Sequence, residues 1–206
     1  MANNLQLGAA KPQDGASDFN LISFVAEQLD NKAARTRLVS VVAVYPGSGL
    51  APDTVDVHPL VNQIDGAGNA TPHGVVHGIP VFMMFGAGSA VKITPAVGDL
   101  GVMICEDRDI SSVKATGAQA NPGSRRTFDF ADGLYFGGFL NSAASQYVLL
   151  NSAGVSIKSP TAITMTVGSK AISITSSGIT LDGILWDTHV HGGVQSGGAS
   201  TTGPAA

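Results

Sequence analysis

Between Val148 and Leu181 the chain carries only two charged residues, Lys158 and Lys170, and its apolar residues come in short alternating bursts. Val155 and Ile157 form one burst. Ile163, Met165 and Val167 form the next, then Ile172 and Ile174, then Ile179 and Leu181. Ser-Pro, Gly-Ser-Lys and Ser-Ser-Gly turns separate them. Alternation on this scale puts the apolar residues on one face of each very short strand. Two or three apolar residues per turn cannot enclose a core within one chain, so such repeats need neighbours to cover them. Three chains wound around a common axis meet that need, with apolar side chains pointing inward and Thr and Ser outward. The segment predicts a narrow triple-stranded β-helix and, with it, an obligate homotrimer. A single-chain β-solenoid is the competing arrangement, and it usually needs longer coils with more apolar positions per turn.

The rest of the chain also reads as β, apart from its start. Residues 1 to about 17 are polar and read as a flexible or partner-bound arm. Ser17 or Asp18 can cap a helix in which Leu21, Ile22, Val25 and Leu29 share one face, ending near Asn31 to Ala34. Arg37 to Tyr45 is a strand closed by the Pro46-Gly-Ser-Gly49 turn, and Thr54 to Val61 alternates as a half-buried strand does. Further strands are expected at Gly74 to Phe85, Val91 to Thr94, Gly101 to Cys105 and Gly133 to Phe139. Several short strands at this spacing suggest a small barrel or sandwich. Residues 106 to 130 break the pattern. There Arg125 and Arg126, beside nearby acids, are read as members of surface or interface ion pairs rather than as a phosphate site.

Composition excludes several function classes. Only 13% of residues are charged and the net charge is −4, so nothing points to nucleic acid as a partner. Cys105 is the sole cysteine and sits in an apolar run, which reads as a buried, inert thiol. No signal peptide and no apolar stretch long enough to span a bilayer are read in the sequence.

The chemistry-bearing motif follows the repeat: Leu185-Trp-Asp-Thr-His-Val-His-Gly-Gly-Val194. On a strand, His189 and His191 face the same side. Leu181 and Leu185 share their parity, so an unbroken strand phase points both imidazoles where the apolar axis points. In a trimer that gathers six imidazoles around one axis. Imidazole suits iron, nickel, copper or zinc. Structural zinc prefers four ligands, so a six-nitrogen cage favours iron or nickel. Such an ion would staple the end of a three-chain needle that otherwise frays. The tail, Gln195 to Ala206, is uncharged and suited to folding over a blunt apex. The alternative is a cupin-like or other mononuclear metal enzyme using the same pair, which needs an open coordination position and a further ligand. His58 and the pair His73 and His77 read as structural or surface residues.

Several motifs together carry a resemblance. Pro95-x-x-Gly-Asp-x-Gly101, Ile104 to Ile110, Arg126-x-Phe-Asp-Phe-Ala-Asp132 and Gly137-Gly-Phe139 resemble the OB-fold domain of phage baseplate spike proteins. Thr188-His-Val-His-Gly192 resembles the apex of the same spikes. The resemblance implies an all-β chain of four parts: an N-terminal arm with a short helix over 1–34, an OB-fold barrel over 35–140, an intertwined trimeric β-helix over 141–184, and a metal-binding apex over 185–206. It implies a structural, non-enzymatic homotrimer at the tip of a contractile tail, in the virion of a phage or in a phage-like particle, made in the host cytoplasm. One iron per trimer is held by His189 and His191 of each chain. The partners implied are the baseplate hub or tail tube protein and, at the apex, the host outer membrane, pierced on contraction.

Overall fold

The structure, a computed structural model, describes residues 12–32, 35–65 and 68–190. The chain divides into two compact units, one reaching to Asn141 and one starting at Ser142.

In the first unit, helix α1 spans Asp18–Lys32. Ser17 caps it: the Ser17 hydroxyl accepts from the Asn20 amide at 3.2 Å, satisfying one of the amides that a helix start leaves without a partner. Leu21, Ile22, Val25 and Leu29 lie on the helix and are all exposed.

Nine strands follow: β1 Thr36–Tyr45, β2 Thr54–Pro59, β3 Gln63–Ile64, β4 Ala70–Thr71, β5 Val76–Pro80, β6 Met84–Gly86, β7 Ser89–Val91, β8 Leu100–Cys105 and β9 Gly133–Gly137. Five of them form one sheet in the order β5-β2-β1-β8-β9, with every neighbouring pair antiparallel. The sheet's two edges then meet. Val81 makes a parallel bridge to Tyr135, and the Phe82 amide donates to the Tyr135 carbonyl at 2.8 Å. Closing the sheet in this way pairs backbone groups that an open edge would leave unsatisfied. The strand expected over Gly74 to Phe85 is therefore two strands, interrupted where the chain turns to make this contact.

Period-2 alternation fills the interior. Val39 and Val41 from β1, Val55 and Val57 from β2, Ile79 from β5, Met103 from β8 and Tyr135 from β9 form the buried core. A register shift between Val41 and Ala43 pushes Val42 outward. Gly101 makes room for the largest of these side chains. A β-carbon there would lie 2.5 Å from Tyr135 Cε2 and from the Phe136 carbonyl oxygen. Cys105 is half-buried rather than fully buried, because it ends its strand, and burial pushes its thiol up to about 11.

Four aspartates are buried in this unit, and each has partners, as buried charges require. Asp53 pairs with Lys92 Nζ at 2.7 Å, and that ammonium also donates to the carbonyls of Gly49 and Ala51, fastening the Pro46 to Gly49 turn. Arg126 bridges Asp109 at 2.8 Å and Asp132 at 2.7 Å. Hydrogen bonds from Ser111 and Ser124 lower the Asp109 carboxyl to about 2, and the Arg126 hydrogen bond lowers that of Asp132. This is the ion pairing expected for Arg126. Between these acids the chain also forms a short helix, α2, at Ser111–Thr116, which ends at Gly117 in the left-handed region.

The second unit is built of hairpins: β10 Tyr147–Asn151 with β11 Gly154–Lys158, then a meander of β12 Ala162–Val167, β13 Lys170–Thr175, β14 Gly178–Leu181 and β15 Ile184–Leu185. Each apolar burst is a strand, and consecutive strands pair antiparallel, so this chain does not coil into a parallel solenoid. The register stacks like upon like. Ile163 faces Ile174, Met165 faces Ile172, Ile174 faces Ile179, and Leu181 faces both Ile172 and Ile184. Directly opposed residues share a face, so these side chains make one apolar surface, while Thr164 and Ser173 oppose each other on the other side. All of the apolar set except half-buried Ile163 are exposed on this chain.

Candidate metal centre at the C-terminal end

The turn from β14 to β15 fixes how the chain enters the apex. Asp182 and Gly183 have φ of 50° and 82°, the two positive values of a type I′ hairpin turn. Asp182 is held there by the Lys170 ammonium at 2.6 Å and the Ala171 amide at 2.9 Å, with its carboxyl lowered first of all by the Lys170 hydrogen bond. A two-residue turn places Leu181 opposite Ile184, so Leu185 pairs with Thr180 on the other face. The expectation that Leu181 and Leu185 share a face is thus corrected. The hairpin resets the phase.

The strand phase is broken a second time directly before the histidines. Trp186–Thr188 form a 3-10 turn, and His189 returns to extended backbone at φ −68° and ψ 144°. That turn brings a backbone carbonyl to the imidazole: His189 Nδ1 lies 2.7 Å from the Trp186 carbonyl oxygen. A carbonyl only accepts, so Nδ1 carries the proton and the lone pair belongs to Nε2. The indole of Trp186 lies beside the ring, with centroids 5.4 Å apart and planes tilted by 36°. A ring whose Nδ1–H donates to a backbone carbonyl is the usual form of a metal-ligating histidine, so His189 fits the donor chemistry expected of it. His191, its expected partner, and the tail from Gln195 to Ala206 lie outside the described residues.

The other histidines have different surroundings. His77 Nδ1 lies 2.7 Å from Asp56 Oδ2, a buried carboxylate that also accepts from Tyr45 and the Gly78 amide. His58 Nε2 reaches the His73 carbonyl at 2.8 Å, and the His73 ring stands edge-on to Phe130. Among the described residues no three His, Cys, Asp or Glu side chains are grouped so as to hold a metal ion. Among the described helices none is long and apolar enough to cross a membrane.

The Trp186 carbonyl is the part of the apex that spacing alone did not reveal, since it depends on a 3-10 turn that strand periodicity hides. No curated protein sequence matches the chain. Residues 187–205, a stretch containing both His189 and His191, match the family model described as the GpV Apex motif, which supports a phage baseplate spike protein of the GpV type.

Proposed function

We propose that this chain is the homotrimeric spike at the tip of a contractile tail, a mechanical part rather than an enzyme. The observation that carries the reading is the apolar surface of β12 to β15, left uncovered by its own chain and leading into a segment that matches the apex motif. Completing the burial of each half-covered Ile or Leu contributes about 1 kcal/mol. The set on one chain then sums to several kcal/mol, comparable to the stability of a whole domain. Three such faces turned toward one axis, as an intertwined triple-stranded β-helix, cover one another, and folding and association become one event.

The closed five-stranded sheet supports reading residues 35–140 as an OB-fold, the part that docks on the baseplate hub or tail tube protein. The β-helix then points at the cell, and contraction drives it through the host outer membrane. Its described charges are few, and two of them, Lys170 and Asp182, neutralise each other. Charge is what makes passage through hydrocarbon costly. At the apex, His189 and His191 of three chains would hold one iron. Bound there, the ion supplies a cross-link among the three chains. The residues themselves set the ligand geometry and exclude a substrate position, since six imidazoles leave none.

Electron microscopy of assembled particles carrying an epitope tag on this chain tests the reading. The tag is expected at the tip of the baseplate. Label along the tube or sheath, or particles without the chain, contradicts it.

A further inference from the structure

The apex match covers the histidines but says nothing of what orients them, and the structure holds one such group. We propose that Trp186 is the positioning residue of the His189 ligand: its carbonyl keeps the proton on Nδ1, so that His189 binds metal through Nε2. The inference rests on the metal-capped reading above and deepens it.

Three observations carry it. The Nδ1 to carbonyl distance is 2.7 Å, short for a hydrogen bond of this kind. The 3-10 turn at Trp186–Thr188 is what lets a carbonyl reach the ring three residues on. The indole lies against the imidazole at 5.4 Å and closes one side of it. A neutral imidazole in water samples two tautomers and several ring orientations. In one tautomer a proton occupies the nitrogen that must bind metal. Fixing tautomer and orientation before the metal arrives removes that competition and the ordering cost of the ring. A strand continuing unbroken from Leu185 would not present this carbonyl, which gives a reason for the turn directly before the ligands.

The test reads the tautomer itself. Long-range 1H–15N spectra of the full-length chain, recorded before and after loading with zinc as a diamagnetic probe, are expected to show His189 protonated at Nδ1 throughout. Only Nε2 should shift on loading. A proton on Nε2 in the metal-free protein, or a zinc shift at Nδ1, overturns the proposal. Two variants add a second readout. Trp186→Gly keeps a carbonyl but loosens the turn and removes the indole. It is expected to lose metal to a chelator about 10- to 100-fold faster, while the native mass is unchanged. Trp186→Phe, which restores an aromatic side chain, is expected to retain metal like the wild type. Equal retention in Trp186→Gly overturns the positioning role. A wild-type chain that binds no metal at all contradicts the apex reading beneath it, whereas a metal-binding chain with the opposite tautomer contradicts this inference alone.

Discussion

Ile172 stands directly opposite Leu181 across the β13–β14 pair, and each residue remains 38% exposed on its own chain. Side chains so closely matched in register normally line a core, and here the core needs other chains. Ile172→Asp is therefore expected to convert the trimer into monomer, because an uncompensated buried carboxylate costs about 3 kcal/mol or more at each of the three sites. Native mass spectrometry reads the outcome. Thr164→Asp, on the opposite face, is expected to leave the trimer intact. Loss of the trimer in both variants, or in neither, contradicts the assignment of faces.

Gly101 bears on the first unit alone. Its missing β-carbon is the space that the Tyr135 ring fills. Gly101→Ala is expected to destabilise this unit by about 1–3 kcal/mol, the usual cost of overpacking a closed core. Chemical denaturation followed by far-UV circular dichroism measures it, and an unchanged midpoint contradicts the packing described.

Arg126 couples the same unit to pH. The folded Asp109 carboxyl is lowered to about 2, and that of Asp132 is also lowered. Carboxyls depressed in the folded state add stability that is complete above their ordinary value near 4. As pH falls toward 2 this contribution is expected to disappear. Arg126→Ala leaves both buried acids without their cation, and its thermal midpoint near pH 7 is expected to fall by on the order of 10 °C. The gap between variant and wild type should narrow below about pH 4, as the stranded carboxyls take up protons. A gap that widens on acidification contradicts the arrangement.

Cys105 offers a simple chemical check. With its thiol pushed up to about 11, little thiolate is present near neutrality. Alkylation at pH 8 is expected to run on the order of 100-fold slower in the folded protein than in the denatured chain. Equal rates contradict the half-buried site.

Much of this architecture was legible in local pattern. The Ser17 cap and the spacing of Leu21, Ile22, Val25 and Leu29 announced helix α1, and the apolar bursts announced the strands from β11 onward. Arg126 was readable as an ion-pair member because acids surround it in sequence. Contacts between distant segments were not readable. The bridge from Val81 to Tyr135 closes the first sheet, yet neither residue's neighbours hint at the other. At the apex, carrying strand parity from Leu181 to Leu185 failed because Asp182-Gly183 forms a two-residue turn, although Asp-Gly is itself a turn signal. The 3-10 turn that aims His189 left no apolar periodicity to follow. Helix α2 was missed for its brevity, though Gly117 marks its end.

The most direct test of the spike reading is native mass measured together with bound metal, for the wild type and for the His189→Ala/His191→Ala double variant. The expected result is a trimer with one iron per three chains, with the iron lost from the variant while the trimer persists on its apolar faces. A monomer, or one metal bound to each chain, contradicts the account.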